Sequence, residues 1–400
     1  MTEWSRLARR LEHLVIFRNL STDPLFKALQ KLLYSTEATA AADACEDLAA
    51  VLYPEGVDLT AAVFSRVMQD DNFYLRARAA GKELQPEIEH QAGIELHLLQ
   101  AAASVSPQAI QTHFHFAESI PQWRAQKLDF AAAYQAQLAD VNKRGCGVFA
   151  RYYSFTAQAD GTLLPVRHPD GQRLCELVGY ARERNIVVQN TKALLSGLPA
   201  NNILLYGDAG TGKSSTVKAV ANEFRAEGLR LIQLEKGKLA AIPALLDRLA
   251  EDPLKFILFI DDLSFASDDH DFTALKTVLE GSVNARPNNV VVYATSNRRH
   301  LVQESTSMRQ GDEIHLADTL EEVSSLSARF GILVTFEKPG RDLYAEQVMA
   351  LAHRSGIDLP EDALIRGAEA YAIRAGGRSP RTAVQYIDTL FMDADNGAGK

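Results

Sequence analysis

One eight-residue run constrains this chain more than any other. Gly207-Asp208-Ala209-Gly210-Thr211-Gly212-Lys213-Ser214 fits G-x-x-x-x-G-K-[ST], and it stands between an apolar run, Ile203 to Tyr206, and a stretch from Ser215 to Phe224 with helical spacing. A strand that feeds a helix through such a turn leaves backbone N–H groups curled around a small volume with a helix N-terminus behind them, a cradle for phosphate oxygens. The glycines permit the curl. Lys213 is placed to reach the β- and γ-oxygens of a nucleotide, the Ser214 hydroxyl to ligate Mg²⁺, and Ser215 opens the helix that completes the phosphate-binding set.

The flanks of the loop predict the rest of the architecture. Further apolar runs at Leu229 to Leu234, Phe256 to Ile260, Val290 to Ala294 and Leu333 to Phe336 alternate with amphipathic stretches, the pattern of a parallel α/β sheet buried on both faces. The third strand ends in Asp261-Asp262, which would emerge at the sheet edge that also carries the phosphate loop. Asp261 suits the Mg²⁺ ion, directly or through water, and Asp262 suits orienting and polarising an attacking water. The strand Val290 to Ala294 runs into Thr295-Ser296-Asn297, polar residues that need partners beside Asp261.

At 400 residues the chain is long enough for two or three folded units. Residues 1–144 are rich in Ala, Leu, Glu and Gln at helical spacing, punctuated by Pro24, Pro54, Pro86, Pro107 and Pro121, and read as a helical N-terminal domain suited to partner recognition. Residues 145–173 turn aromatic and β-branched with Asp160-Gly161 and Asp170-Gly171 turns, a hairpin-like linker. The ATPase core is expected over residues 174–338, with residues 174–197 helical, a helical lid over 339–393 and a flexible tail over 394–400. A formal charge of −9 gives no global attraction to nucleic-acid backbones, three scattered cysteines make no disulfide or zinc framework, and no apolar run approaches the roughly 20 residues of a membrane span. Residues 1–20 lack a signal-peptide core, so the expectation is a cytoplasmic protein without membrane contact.

The phosphate loop, Asp261-Asp262, Asn297, Arg329 and Arg381 occur in the order seen in AAA+ ATPases, which the chain resembles over roughly Leu177 to Leu390. Leu177-Val178-Gly179-Tyr180, Asn190-Thr191, Pro199-Ala200-Asn201-Asn202 and Ala294 through Leu301 resemble more closely a bacterial AAA+ family known as domain of unknown function 815. The resemblance implies ATP and Mg²⁺ as cofactors and an ATP hydrolase whose turnover rearranges a protein or nucleic-acid partner held by the N-terminal helices. It implies that Asn297 bridges the γ-phosphate and the lytic water, and that Arg329 reaches the γ-phosphate of a neighbouring copy in a homo-oligomer, with Arg298 and Arg299 as competitors for that part. Arg381, in the first turn of a lid helix capped by Ser379, would contact the phosphates, and adenine would lie near Val178 and Gly179. Asp262 stands where many AAA+ proteins carry the longer glutamate. That departure keeps open a second function, a slow or non-hydrolysing ATP-switched module, including one that acts like a helicase loader. His113-Phe114-His115-Phe116 lacks ligand-spaced partners and reads as a packed or surface pair, and Asp268-Asp269-His270-Asp271 reads as a solvated loop.

Overall fold

The computed structural model describes residues 3–116, 119–263, 275, 279, 287–297 and 329–397. The chain divides into two compact units, Met1–Arg151 with Glu251–Leu254, and Tyr152–Ala250 with Lys255–Lys400.

The described part of the first unit is helical. Its longer helices are α1 (Glu3–Glu12), α2 (Pro24–Tyr34), α3 (Ala38–Leu52), α4 (Leu59–Gln69), α5 (Phe73–Ala79), α6 (Pro86–Ala103), α7 (Pro107–Phe114) and α8 (Phe130–Ala139). The prolines punctuate as their chemistry demands: Pro24, Pro86 and Pro107 each open a helix, where the missing N–H costs nothing. Asp23, Asp58, Asn72, Ser106 and Asp129 accept from backbone N–H groups in the first turns that follow them. The core is closed by α6, whose buried Glu95 accepts from the N–H groups of Val15, Ile16 and Phe17 at 2.8 to 3.1 Å. His113 packs its ring on Trp4 at 4.5 Å between centroids, which accounts for one of the paired histidines as packing.

The second unit is built on a seven-stranded sheet: β1 (Ser154–Ala157), β2 (Leu163–Pro165), β3 (Ile203–Gly207), β4 (Leu229–Leu234), β5 (Lys255–Ile260), β6 (Val290–Asn297) and β7 (Ile332–Phe336), in the order β2-β1-β4-β5-β6-β3-β7. All pairings are parallel except β1 with β2. The strands β5 and β6 are buried along nearly their whole length because helices cover both faces. The residues expected as a linker, 154–165, form a hairpin that adds to this sheet through β1 and β4. The helical stretch expected from Leu174 shortens to a single 3-10 turn, Leu174–Glu176, followed by a loop in which Gly179 and Tyr180 are left-handed, before α9 (Ala181–Leu195). Three helices, Arg341–Arg354, Glu361–Arg374 and Pro380–Gly397, pack around their own small core of Tyr344, Val348, Leu364, Ala368, Ala383 and Ile387 and form the lid. No helix among the described residues is long and apolar enough to cross a membrane.

The motif residues Asn190, Thr191, Asn201 and Asn202 have a structural part. The Asn190 carboxamide donates to the Asn201 carbonyl (2.8 Å) and the Tyr293 hydroxyl (3.0 Å) and accepts from the Asn201 N–H (2.9 Å), while Asn202 Oδ1 accepts from the Val292 N–H (2.9 Å). This network pins α9 to the start of β3 and to β6. Asn190→Ala removes the amide from the buried Tyr293 hydroxyl and from both Asn201 backbone groups, and we expect a loss of about 1–3 kcal/mol in urea denaturation; a change below about 0.5 kcal/mol would show that the network holds nothing.

Candidate functional site

The register of the sheet assembles the site. Gly207, the last residue of β3, lies opposite Asn297 of β6 on one side and Phe336 of β7 on the other, and Ile260 of β5 lies opposite Ala294. The phosphate loop, the acidic pair and Asn297 therefore leave the sheet at one edge, although Ser214 and Asp261 are 47 positions apart. Gly207 holds φ at 139°, which lets its backbone press against Phe336, and the Asp208 N–H donates to the Phe336 carbonyl at 3.1 Å. Gly210 and Gly212 are also left-handed, and α10 (Lys213–Phe224) starts directly behind them.

Lys213 is buried, with its ammonium donating to the carbonyls of Gly207 (3.1 Å) and Asp208 (2.7 Å) and to Asn297 Oδ1 (2.9 Å). Burial holds this group below the usual lysine range, against the opposing pull of Asp208, Asp262 and Asp261. Asn297 in turn donates from Nδ2 to Asp262 Oδ1 at 2.7 Å, so its amide orientation is set by a cation on one side and a carboxylate on the other. Asp262 adopts φ 54°, a conformation that aspartate tolerates better than most residues, with its N–H held by Thr295 Oγ1 at 2.9 Å. The same Thr295 hydroxyl donates to Asp261 Oδ1 at 2.7 Å, and the Ser214 hydroxyl donates to that oxygen at 2.6 Å. Thr295, a polar strand end whose sequence context calls for a partner beside Asp261, finds that partner here; its second bond, to the Asp262 N–H, is visible only in the structure.

Ser214 and Asp261 thus offer two oxygens converging on one point. That set fits Mg²⁺, which favours one or two protein oxygens with substrate phosphates and water completing its shell. Among the described residues no cluster of three His, Cys, Asp or Glu side chains could hold a metal by itself.

Arg381 lines the same pocket as Ala209 through Ser215, Asp261, Asp262 and Asn297, and its N–H approaches the Gly210 carbonyl at 3.4 Å. Its position follows from the cap expected in the sequence: Ser379 Oγ accepts from the Thr382 N–H at 3.1 Å, and Pro380 begins the helix. Asp208 turns away from the phosphate cradle, its carboxylate accepting from the Lys338 N–H at 3.2 Å. Val178 lines a second cavity beside the loop, and Gly179 packs its backbone against Leu343 and Gln347 of the first lid helix. Tyr180, Phe336, Gln347, Leu351 and Val384 also line that cavity, which shares Thr211 and Gly212 with the pocket around Lys213. Of these walls only Leu177 to Tyr180 is legible in the sequence, because the lid residues come from segments more than 150 positions away.

Arg329 is not gathered with the others. It precedes β7, whose first residue pairs with the first residue of β3, so it lies at the sheet edge opposite the loop, about 13 Å or more away at the usual rise per strand residue. Arg298, Arg299 and Asp268 to Asp271 lie outside the described residues.

The profile of the family described as "Protein of unknown function (DUF815)" matches residues 149–394. The chain belongs to the DUF815 family. The match begins just before β1, so the hairpin is part of the DUF815 unit. The fold of this DUF815 chain is an α/β core on a mostly parallel sheet, with a P-loop strand–loop–helix and a helical lid, preceded by a mainly helical N-terminal region. Among solved structures, Thermotoga maritima RuvB, titled a Holliday junction branch migration motor, is similar over 55% of this chain and 72% of its own at 15% identity and a TM-score of 0.33. A single-substitution variant of the same protein gives 14% and 0.35 over the same shares. At that level the likeness says nothing of activity or partner. No curated protein matches the sequence.

Proposed function

We propose that this DUF815 protein binds Mg-ATP at Gly207 to Ser214 and hydrolyses it, and that turnover rearranges a macromolecular partner recognised by the helices of residues 1–144. The reading is carried by one observation: Lys213, Ser214, Asp261, Asp262, Asn297 and Arg381 converge on a single pocket at the sheet edge. In it Lys213 and the loop N–H groups hold the phosphates, and Ser214 and Asp261 hold Mg²⁺. Asp262 and Asn297 orient a water for attack at the γ-phosphorus, and Arg381 brings the lid onto the charge that develops. The ion's chemistry is to neutralise the phosphate oxygens. Arg329 stands a sheet width from its own loop, which supports its acting on the site of a second copy in a homo-oligomer. A permanently charged planar fork suits that task.

Steady-state ATP hydrolysis as a function of protein concentration tests this. The rate per subunit should rise as copies associate and fall at least about 100-fold in Arg329→Ala, with ATP affinity changed less than about 3-fold. A flat, near-zero rate would instead favour the ATP-switched binding module, which draws support from the short Asp262 side chain being already engaged by Asn297.

A further inference from the structure

Beside the phosphate loop, the second cavity has apolar walls from Leu177, Val178, Tyr180, Phe336, Leu351 and Val384. Gln347 of the first lid helix also lines it and is only 2% exposed. Its Nε2 donates to the Val178 carbonyl at 3.3 Å, whereas its Oε1 is buried without a hydrogen-bond partner. A buried amide oxygen left unpaired costs free energy unless a ligand supplies the donor. The Val178 carbonyl decides which end of the amide is left unpaired. Rotating the carboxamide would set two carbonyl oxygens against each other and lose the existing bond, so the unpaired group of this cavity-lining residue is an acceptor. Gly179, at φ 76°, keeps this arrangement tight, because its backbone lies where a Cβ would come 3.1 Å from Gln347 Nε2.

We infer that Gln347 selects adenine over 6-oxopurines, its Oε1 accepting from the exocyclic 6-amino group of the base. This rests on the proposal that the adjacent loop holds nucleotide phosphates. Adenine presents a donor at position 6 and an apolar face to Tyr180, Phe336 and Leu351; guanine and hypoxanthine present an oxygen there, acceptor against acceptor.

Competition binding on the full-length protein tests it, with a fluorescent ATP analogue displaced by ATP, ITP and purine riboside triphosphate, which lacks only the 6-amino group. We expect ATP to bind about 10-fold tighter than purine riboside triphosphate and about 100-fold tighter than ITP. In Gln347→Met, with its thermal midpoint recorded to verify folding, the three affinities should fall within about 3-fold of one another. Equal affinities in the unmodified protein, which needs no variant, would overturn the role of Gln347 while leaving phosphate binding intact. So would retention of the ATP preference in folded Gln347→Met. If none of the three nucleotides binds, the phosphate-site reading itself fails and takes this one with it.

Discussion

Lys213→Ala should bind ATP at least about 100-fold more weakly, with little loss of fold stability. The two expectations have one cause. In the free protein the ammonium is buried and held below the usual lysine range by desolvation, so the fold gains little from keeping it charged. Its three donors are spent on two loop carbonyls and Asn297 Oδ1. When a triphosphate arrives, that cation meets anionic oxygens, and a charge-assisted bond of about 3 kcal/mol corresponds to about two decades in affinity. Titration with a fluorescent ATP analogue reads the effect, and urea denaturation of the same sample reads the stability. Unchanged affinity in a folded variant would refute the assignment of the loop.

Gly207→Ala should do the opposite, damaging the fold before it touches binding chemistry. At φ 139° an alanine is strained, and its Cβ would fall inside the van der Waals radius of the Phe336 carbonyl oxygen, a backbone atom that cannot rotate aside. That carbonyl also accepts the Asp208 N–H, so the strand pair must separate at the base of the loop. The expected cost is more than about 3 kcal/mol, in the range reserved for steric or backbone strain. A drop of several degrees in the thermal midpoint, with ATP affinity falling alongside, is the result to look for. A midpoint within 1 °C of the parent would mean that β3 and β7 part freely there, contrary to their register.

Lys213 and Gly207 adjoin in one motif, and the sequence could assign both to a phosphate loop because that motif's chemistry is local: glycine for backbone freedom, lysine for charge, a helix start behind them. The strands were legible for a similar reason. Continuous apolar runs such as Phe256 to Ile260 and Val290 to Ala294, strand-sized and rich in β-branched and aromatic residues, suit a strand buried on both faces. Less legible was the stretch after Leu174. Helical spacing there continued through Gly179-Tyr180, yet Gly179 packs against Leu343 and Gln347, and Tyr180 turns left-handed to give its hydroxyl to the Glu337 carbonyl at 2.6 Å. Tertiary contacts overrode a weak local preference.

By itself the sequence determined the α/β class, the loop, the acidic pair and the helical ends, since each is written in neighbouring residues. Only the tertiary structure decided that Thr295 ties Asp261 to the Asp262 backbone, that Asn297 stands between Lys213 and Asp262, and that residues 154–165 extend the sheet. It alone turned Gln347 toward the cavity beside the loop. Those pairings join residues up to 169 positions apart. They depend on strand order and register, which follow from how whole faces are buried rather than from any local run of residues.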